Sequence, residues 1–576
     1  MASTLAAHPA DRSVTPTTCP DEFNFATDVV DQWAERYPGL PAMYWTTGNG
    51  VPARELSYAY FSQRSQQAAH LLKSLGAQQG ERVMILLSRV PAWWELATAV
   101  IRMGLVLCPC TTLAVGKDIA YRAEASDATL FIGDEQSIRT LLSVRGQCPR
   151  IRTVIQAAGT AVKAAGVTQY QEAMSSFDVE GPFHGPRTAS KDPALIYFTS
   201  GTTGMPKMVL HNQVSCPLSS AMTGKYWLDL RPGKVYWNLS EQGWGKAAWA
   251  WFGAWNMGAA LFVEDLSGPF SAASLLGTLH QYSISTLCAP PTVYRQLITT
   301  AMRELCKAKP PKSLEHCVGA GEPLNSEVIN QWQDMTGCEI KDGYGQTEST
   351  LLCGNLVGHV VRPGSMGKPI PGLPFEIIDQ DGESCPTGEE GDIAIATTTK
   401  AGDMVACIFD GYISATGDVK RAVRHEARPG RSVHPRQWFL TGDRAYRDED
   451  GYIWFVGRAD DVINASGYRI GPFEIESVLK RHPAVQESAV VASPDAARGD
   501  VVKAFIVRNK EFLSADVSQL AAELQRFCRE MAAPYKYPRK IEFVCENFLP
   551  KTISGKIRRV ELRQLEVQRA RQMSKL

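Results

Sequence analysis

From residue 82 the chain reads RVMILL (82–87), then a stretch of helical length from Pro91 to Met103, then LVLCPC (105–110). That is strand, helix, strand. The pattern recurs: TLFIG (129–133), TVIQ (153–156), ALIYF (194–198), TLCAP (286–290) and HCVGA (316–320) are short apolar runs separated by segments of helical length. Short buried strands alternating with helices specify a mostly parallel sheet wrapped by helices, an α/β fold. No internal repeat is visible. A chain of 576 residues is long enough for more than one domain and for a large core. Its formal net charge of zero argues against a general nucleic-acid binder, which shows a basic face.

Two features bear on compartment. Fourteen cysteines are scattered with no CxxC pair and no zinc spacing, as expected of reduced core thiols in an intracellular protein. The run AAWAWFGAWNMGAALFV (247–263) falls short of the roughly 20 residues a membrane span needs. It reads as a buried helix followed by a strand, and Trp249, Trp251, Phe252 and Trp255 in it serve either as core or as the lining of an apolar pocket.

After about residue 360 the texture changes. Glycine and proline become dense, strands become short (FEIID, DIAIAT), and DQDG (379–382) reads as a hairpin turn. This predicts a small β-rich subdomain ending near GYIWFVGR (451–458). Beyond RADDVINASGYRIG (458–471) lies a compact α+β unit. In it Pro472 starts a helix with Ile475, Val478 and Leu479 on one face, and Val517, Leu520, Leu524, Phe527 and Met531 form the stripe of another. The expected organisation is a mostly disordered leader over 1–22, a large domain over 23–457 built from two α/β subdomains and the β-rich one, a hinge region over 458–471, and a small mobile cap over 472–576.

YFTSGTTGMPK (197–207) cannot pack a core and is too rich in glycine for a helix. Backbone N–H groups with glycines that admit positive φ make a concave anion cradle, the threonine and serine hydroxyls add donors, and Lys207 adds a point charge. The loop follows a strand, as phosphate loops do. It is not a Walker A loop, because its lysine lies between Pro206 and Met208. Further stations follow in order: GAGEPL (319–324), DGYGQTES (342–349), LTGDRAY (440–446) with Asp443 in a tight turn, GRADD, SGYRIG and PKTISGKIRR (550–559).

This set resembles the adenylate-forming superfamily, and most closely the medium-chain acyl-CoA synthetases. The likeness runs from DEFNFATDVVDQWAE to APYKYPRKIEFV, nearly the whole chain. It implies a two-step reaction: a carboxylic acid attacks the α-phosphate of ATP to give an acyl-adenylate and pyrophosphate, then the coenzyme A thiol displaces AMP. The first step needs positioning and charge stabilisation more than covalent help. The resemblance assigns Thr199, Ser200, Gly201, Thr202, Thr203, Gly204 and Lys207 to the β,γ-phosphates. It places Gly321, Glu322, Pro323, Asp342, Gly343 and Tyr344 around the adenine, Gln346 in the same nucleotide site, and Thr347 by the α-phosphate. Glu348 would hold Mg²⁺, a hard cation suited to carboxylate and phosphate oxygens. Asp443 and Arg458 would bond the ribose, and Lys556 would reach the carboxylate and α-phosphate. Asp460 matches the hinge. Ser466, Gly467, Tyr468, Arg469, Arg498, Tyr535 and Lys536 are the coenzyme A candidates, and Trp244, Gly319 and Gly345 are assigned to the acyl pocket.

The likeness thins in places. SEQGWGK (240–246) departs from an S-D-T-G-W pattern at Glu241 and Gln242. The arginine-rich segment 421–438 reads as a solvated loop, or else as a patch for coenzyme A phosphates or a partner. The last three residues, Ser574, Lys575 and Leu576, form a peroxisomal address that an import receptor would read, so a peroxisomal location is expected. The competing readings are an adenylation enzyme loading a carrier protein, a luciferase-like adenylate oxygenase, and a nucleotide-sensing protein without chemistry.

Overall fold

The computed structural model describes residues 13–573 except 49, 177–180, 200–205, 266–269, 312, 323, 325, 400, 415–416, 421–422, 427–436, 460, 466–467, 496–498, 532–535 and 552–556. Two nine-stranded sheets form its body. In the first, Pro193–Thr199, Val106–Pro109, Arg82–Leu86, Leu130–Asp134, Thr153–Ala158 and Val167–Gln169 run parallel. Lys207–Asn212 and Gly411–Ile413 then extend it antiparallel, with Val419–Lys420 at the edge. In the second, Ile340–Gly345, His316–Ala320, Thr286–Ala289, Val235–Asn238, Ala260–Glu264 and Pro41–Thr46 run parallel.

The continuous apolar runs follow from this layout, because a parallel strand is covered by helices on both faces. Helix Pro91–Arg102 opens with its proline at the first turn, where no N–H is needed, and is buried along almost its whole length. Helix Gly245–Asn256 is equally buried. The two meet edge to face through Trp93 and Trp251, with ring centroids 5.4 Å apart. One hydrophobic core therefore unites both sheets. Separate cores lie under the outer helices of each sheet. The run 247–263 resolves as expected into a helix and the strand Ala260–Glu264. Among the described residues no helix is long and apolar enough to cross a membrane.

Four sequence expectations are corrected here. Residues 13–22 are not a loose leader: Val14 is buried, Ala406 donates its N–H to the Pro16 carbonyl at 2.7 Å, and Ser190 donates to Asp21 at 3.0 Å. Polar composition hid a segment tied down by backbone pairing. The glycine-rich region after 360 does form a small sheet of Phe375–Ile378, Gly391–Ala396, Gln437–Arg447, Val423–Glu426 and Ile453–Arg458. Its middle, however, returns as Gly411–Ile413 to the first large sheet. Val423–Glu426 is likewise a strand inside the arginine-rich segment, not loop. Asp443 lies within strand Gln437–Arg447, opposite Arg458, and not in a turn; a bulge at Gly442, with φ +75°, explains the turn-like residues.

The C-terminal sheet pairs Val485–Asp495, Gly499–Arg508, Lys540–Val544, Ile463–Ala465 and Tyr468–Ile470. Helices Pro472–Leu479 and Val517–Met531 pack on one face, burying Ile475, Val478 and Leu479 together with Leu520, Leu524 and Cys528. Val517 and Met531, assigned to the stripe from sequence, are exposed: they sit at the two ends of the helix, and Cys528 joins Leu520 and Leu524 on the buried face.

Candidate active site

The parallel strands of the second sheet end at Ala289, Ala320 and Gly345, and ligands of open α/β sheets bind outside such carboxyl ends. Strands Pro193–Thr199 and Lys207–Asn212 flank the glycine loop, and Thr199 pairs directly with Lys207. Ser200, Gly201, Thr202, Thr203 and Gly204 lie outside the described residues. The Lys207 ammonium stands 5.1 Å from the Tyr412 ring centroid, and the Tyr412 hydroxyl donates to Glu348 Oε1 at 2.7 Å. The chain thus brings Lys207 and Glu348 to one aromatic residue. Tyr412 carries no motif, and only the return of Gly411–Ile413 to the sheet reveals it.

Asp443 is the hub of a second cluster. Its Oδ2 accepts from the Tyr344 hydroxyl at 2.5 Å and from Gln346 Nε2 at 2.7 Å. Its Oδ1 accepts from Arg458 Nη1 at 3.1 Å. Burial, and then the Asp443 carboxylate, hold the Tyr344 phenol well above its ordinary pKa, so the hydroxyl stays a donor. Gln346 Nε2 also donates to the Thr441 carbonyl. Asp342, in the core beneath, has its pKa pushed up to about 8 by burial, against the hydrogen bond it accepts from the Gly343 N–H at 2.9 Å. Glu322 pairs with Arg295 at 3.2 Å, and Gly321 has φ +104°. Pro323 lies outside the described residues.

Thr347 is positioned by His211, which sequence reading missed. His211 Nε2 is 2.7 Å from the Thr347 carbonyl, and Nδ1 is 3.0 Å from Ser215 Oγ. Burial lowers the His211 pKa to about 4, so at neutral pH the ring donates from Nε2 and accepts from Ser215 at Nδ1. Helix Gly245–Asn256 begins against the same residue: a Cβ on Gly245 would lie 3.1 Å from Thr347 Cγ2. Trp244 is the N-cap of that helix. Gly345 faces Trp249, where a Cβ would lie 2.7 Å from the indole and 2.4 Å from the Thr350 carbonyl. Gly319 faces the other way, toward Leu324 and Ile340 in the outer core, as the alternation of strand residues requires. Glu241 accepts the Thr112 N–H at 2.9 Å, and burial raises its pKa. A cavity of about 20 Å³ lies beside the helix, lined by Arg89, Trp93, Trp94, Trp237, Gln242 and Trp251. Of the four aromatics singled out in the run, Trp251 reaches this cavity; Trp249 and Trp255 instead donate their indole N–H to the Ser349 and Ala42 carbonyls.

In the C-terminal unit Lys536 Nζ donates to Glu474 Oε2 at 2.7 Å. Arg559 bridges Glu476 at 2.6 Å. Tyr468 and Arg469 fall in strand Tyr468–Ile470, with their side chains undescribed. Asp460, Ser466, Gly467, Arg498, Tyr535, Lys556 and Ser574–Leu576 lie outside the described residues.

Comparison with known proteins agrees with this architecture. The family model for AMP-binding enzymes matches residues 30–412, and that for the AMP-binding enzyme C-terminal domain matches 474–556. The chain is 44% identical over 559 residues to the mitochondrial acyl-coenzyme A synthetase ACSM4 of Rattus norvegicus, covering 96% of this chain and 92% of the relative. It is 41% identical over 556 residues to the mitochondrial acyl-coenzyme A synthetase ACSM3 of Mus musculus, covering 95% and 91%. A solved anthranilate CoA ligase, AuaEII in complex with anthranoyl-AMP, superposes with a TM-score of 0.81 at 26% identity, over 97% of this chain and 100% of that one. An acyl-CoA synthetase of Brucella canis superposes with a TM-score of 0.69 at 30% identity, over 97% and 96%. These relatives overturn the peroxisomal expectation, because the curated synthetases are named mitochondrial, and they leave the import receptor without support. A terminal tripeptide is a short signal that fixes nothing else in the chain, whereas the likeness to those synthetases extends over nearly all of it.

Proposed function

Because the chain belongs to the AMP-binding enzymes, and within them to the medium-chain acyl-coenzyme A synthetases, we propose that it joins a medium-chain or aryl carboxylic acid to coenzyme A at the site between the 193–212 hairpin and the Asp443 cluster. A carboxylate oxygen of the acid attacks the α-phosphorus of ATP, and the bond to pyrophosphate breaks. The coenzyme A sulfur then attacks the acyl carbon, loses its proton, and expels AMP. Lys207 and the glycine loop hold the outer phosphates. The His211-anchored Thr347 carries a hydroxyl to the α-phosphate, and Asp443 takes a ribose hydroxyl. Magnesium fits Glu348, whose Oε1 accepts from Tyr412 and whose other carboxylate oxygen has no hydrogen-bond partner among the described residues; Mg²⁺ commonly takes one or two carboxylates and completes its shell with phosphate and water. Lys556 supplies charge in the first step, and rotation about Asp460 then brings Ser466 to Arg469 and the basic candidates of the cap toward coenzyme A. A mitochondrial setting is favoured by the names of the relatives.

The observation that carries this reading is the convergence of Tyr344, Gln346, Asp443 and Arg458, drawn from segments about a hundred residues apart in sequence, into one hydrogen-bonded cluster. The test is incubation with Mg²⁺, ATP, coenzyme A and C2 to C16 acids, benzoate and phenylacetate. AMP, pyrophosphate and a thioester are expected. ADP with orthophosphate, or adenylate with no thioester from any acid, would refute it.

A further inference from the structure

Lys246 is an ammonium in an unfavourable place. It is the second residue of helix Gly245–Asn256, at the positive end of the helix dipole, with no acidic residue in the first turn. Its side chain lies among the carboxyl ends of the parallel strands. Nζ donates to the Ala320 carbonyl at 2.9 Å, would lie 3.7 Å from a Cβ on Gly321, and is close enough to Cys288 to act on that thiol electrostatically. Among the described residues the carbonyl is its one hydrogen-bond partner, and no carboxylate pairs with it. An ammonium has three N–H donors, so two remain for something that occupies the crevice. Half-buried charge of this kind is costly unless a partner compensates it.

A second observation points the same way. One turn further along the same helix, Ala250 and Trp251 face the small cavity, and several polar atoms around it are buried without partners: the indole N–H groups of Trp94 and Trp251, Asn238 Oδ1 and Gln242 Oε1. A pocket meant only for a plain alkyl chain would not be surrounded by uncompensated donors and acceptors drawn from several elements.

Resting on the reading above, we propose that Lys246 is a specificity-determining residue and that the preferred acid carries a second oxygen acceptor, a carboxylate or hydroxyl in its acyl portion, which the Lys246 ammonium holds. A site built to bond such an oxygen discriminates strongly against the analogue that lacks it, because the site's own donor is then left unpaired.

The test compares matched acids, hexanoate with adipate and benzoate with 2- and 4-hydroxybenzoate, by kcat/KM for pyrophosphate release. The wild type is expected to favour the oxygen-bearing member of at least one pair by about tenfold or more. Lys246→Met is expected to lower that ratio by about tenfold, through a fall for the oxygen-bearing acid and a rise for the plain one. Lys246→Gln, which keeps a neutral donor, is expected to retain part of the ratio, and it decides the matter if the methionine variant does not fold. An unchanged ratio overturns the proposal. So does an equal loss for every acid together with a raised KM for ATP, which would assign Lys246 to the nucleotide. A wild type that turns over only the plain acids overturns this inference while leaving the acyl-coenzyme A synthetase reading intact; no turnover of any acid removes both.

Discussion

Replacing Asp443 with asparagine separates a structural role from a nucleotide-binding one. A carboxylate offers about four lone-pair positions. Three are engaged: Tyr344 and Gln346 on Oδ2, and Arg458 on Oδ1. The open position is on Oδ1, and the proposed ribose hydroxyl would occupy it. In Asp443→Asn the carbonyl oxygen best takes the Oδ2 position, where two donors converge, leaving the amide nitrogen at Oδ1. There it meets Arg458 donor to donor. The Arg458 side chain is 40% exposed and can turn to solvent, so the loss of stability is small, about 1–2 kcal/mol. The ribose hydroxyl loses its acceptor outright. A hydrogen bond to a charged group is worth about 1.5–3 kcal/mol, which predicts a rise of about 10- to 100-fold in KM for ATP. The assay is pyrophosphate release at saturating acid with ATP varied, beside a thermal midpoint. An unchanged KM for ATP alongside the expected drop in midpoint would refute the ribose assignment and leave Asp443 a purely structural hub.

Lys556→Ala is expected to abolish acyl-adenylate formation while largely sparing thioester formation from supplied acyl-adenylate, and Asp460→Pro to do the reverse by fixing one cap orientation; equal losses in both half-reactions would count against the division of labour. His211→Phe removes the donor to the Thr347 carbonyl, leaving a buried acceptor unpaired at a cost of about 1–3 kcal/mol, and a displaced Thr347 is expected to lower kcat by up to about 100-fold; an unaltered kcat would show that Thr347 does not depend on this anchor. Stability should also depend on pH through two opposed effects. Asp342 stays protonated in the fold up to about pH 8 but ionises near 3.8 when unfolded, so its contribution is full at low pH and is lost as pH rises through 8. His211 and His316, each lowered to about 4, contribute above the unfolded value of 6.5 and lose that contribution as pH falls toward 4. From pH 6.5 to 8 the Asp342 loss, about 1.7 kcal/mol, outweighs the last of the histidine gain, about 0.8 kcal/mol, so wild-type thermal midpoints should fall by the equivalent of about 1 kcal/mol, and Asp342→Asn should remove that fall; a parallel profile in the variant would refute it.

Local chemistry made much of this protein legible from sequence. Apolar runs between helical stretches specify parallel strands because both faces of such strands are covered, and RVMIL in Arg82–Leu86 shows that burial directly. The glycine loop reads as a phosphate cradle because such a cradle needs consecutive backbone N–H groups and glycines, whereas GAGEPL, DGYGQTES and PKTISGKIRR point to a nucleotide only together, through their resemblance to the adenylate-forming superfamily. What depends on contact between distant segments was not legible. Tyr412 meets Glu348 because a strand from the glycine-rich region rejoins the first sheet, and His211 meets the Thr347 carbonyl across 136 residues. Asp443 looked like a turn residue because a bulge within a strand uses the same glycine that a turn would. Only the fold places Lys246 beside the carboxyl ends of strands Thr286–Ala289 and His316–Ala320, where the Ala320 carbonyl is its one hydrogen-bond partner among the described residues. Hydrogen-bond partners and burial are properties of the packed chain, and no local pattern encodes which remote carbonyl, ring or carboxylate will stand opposite a side chain.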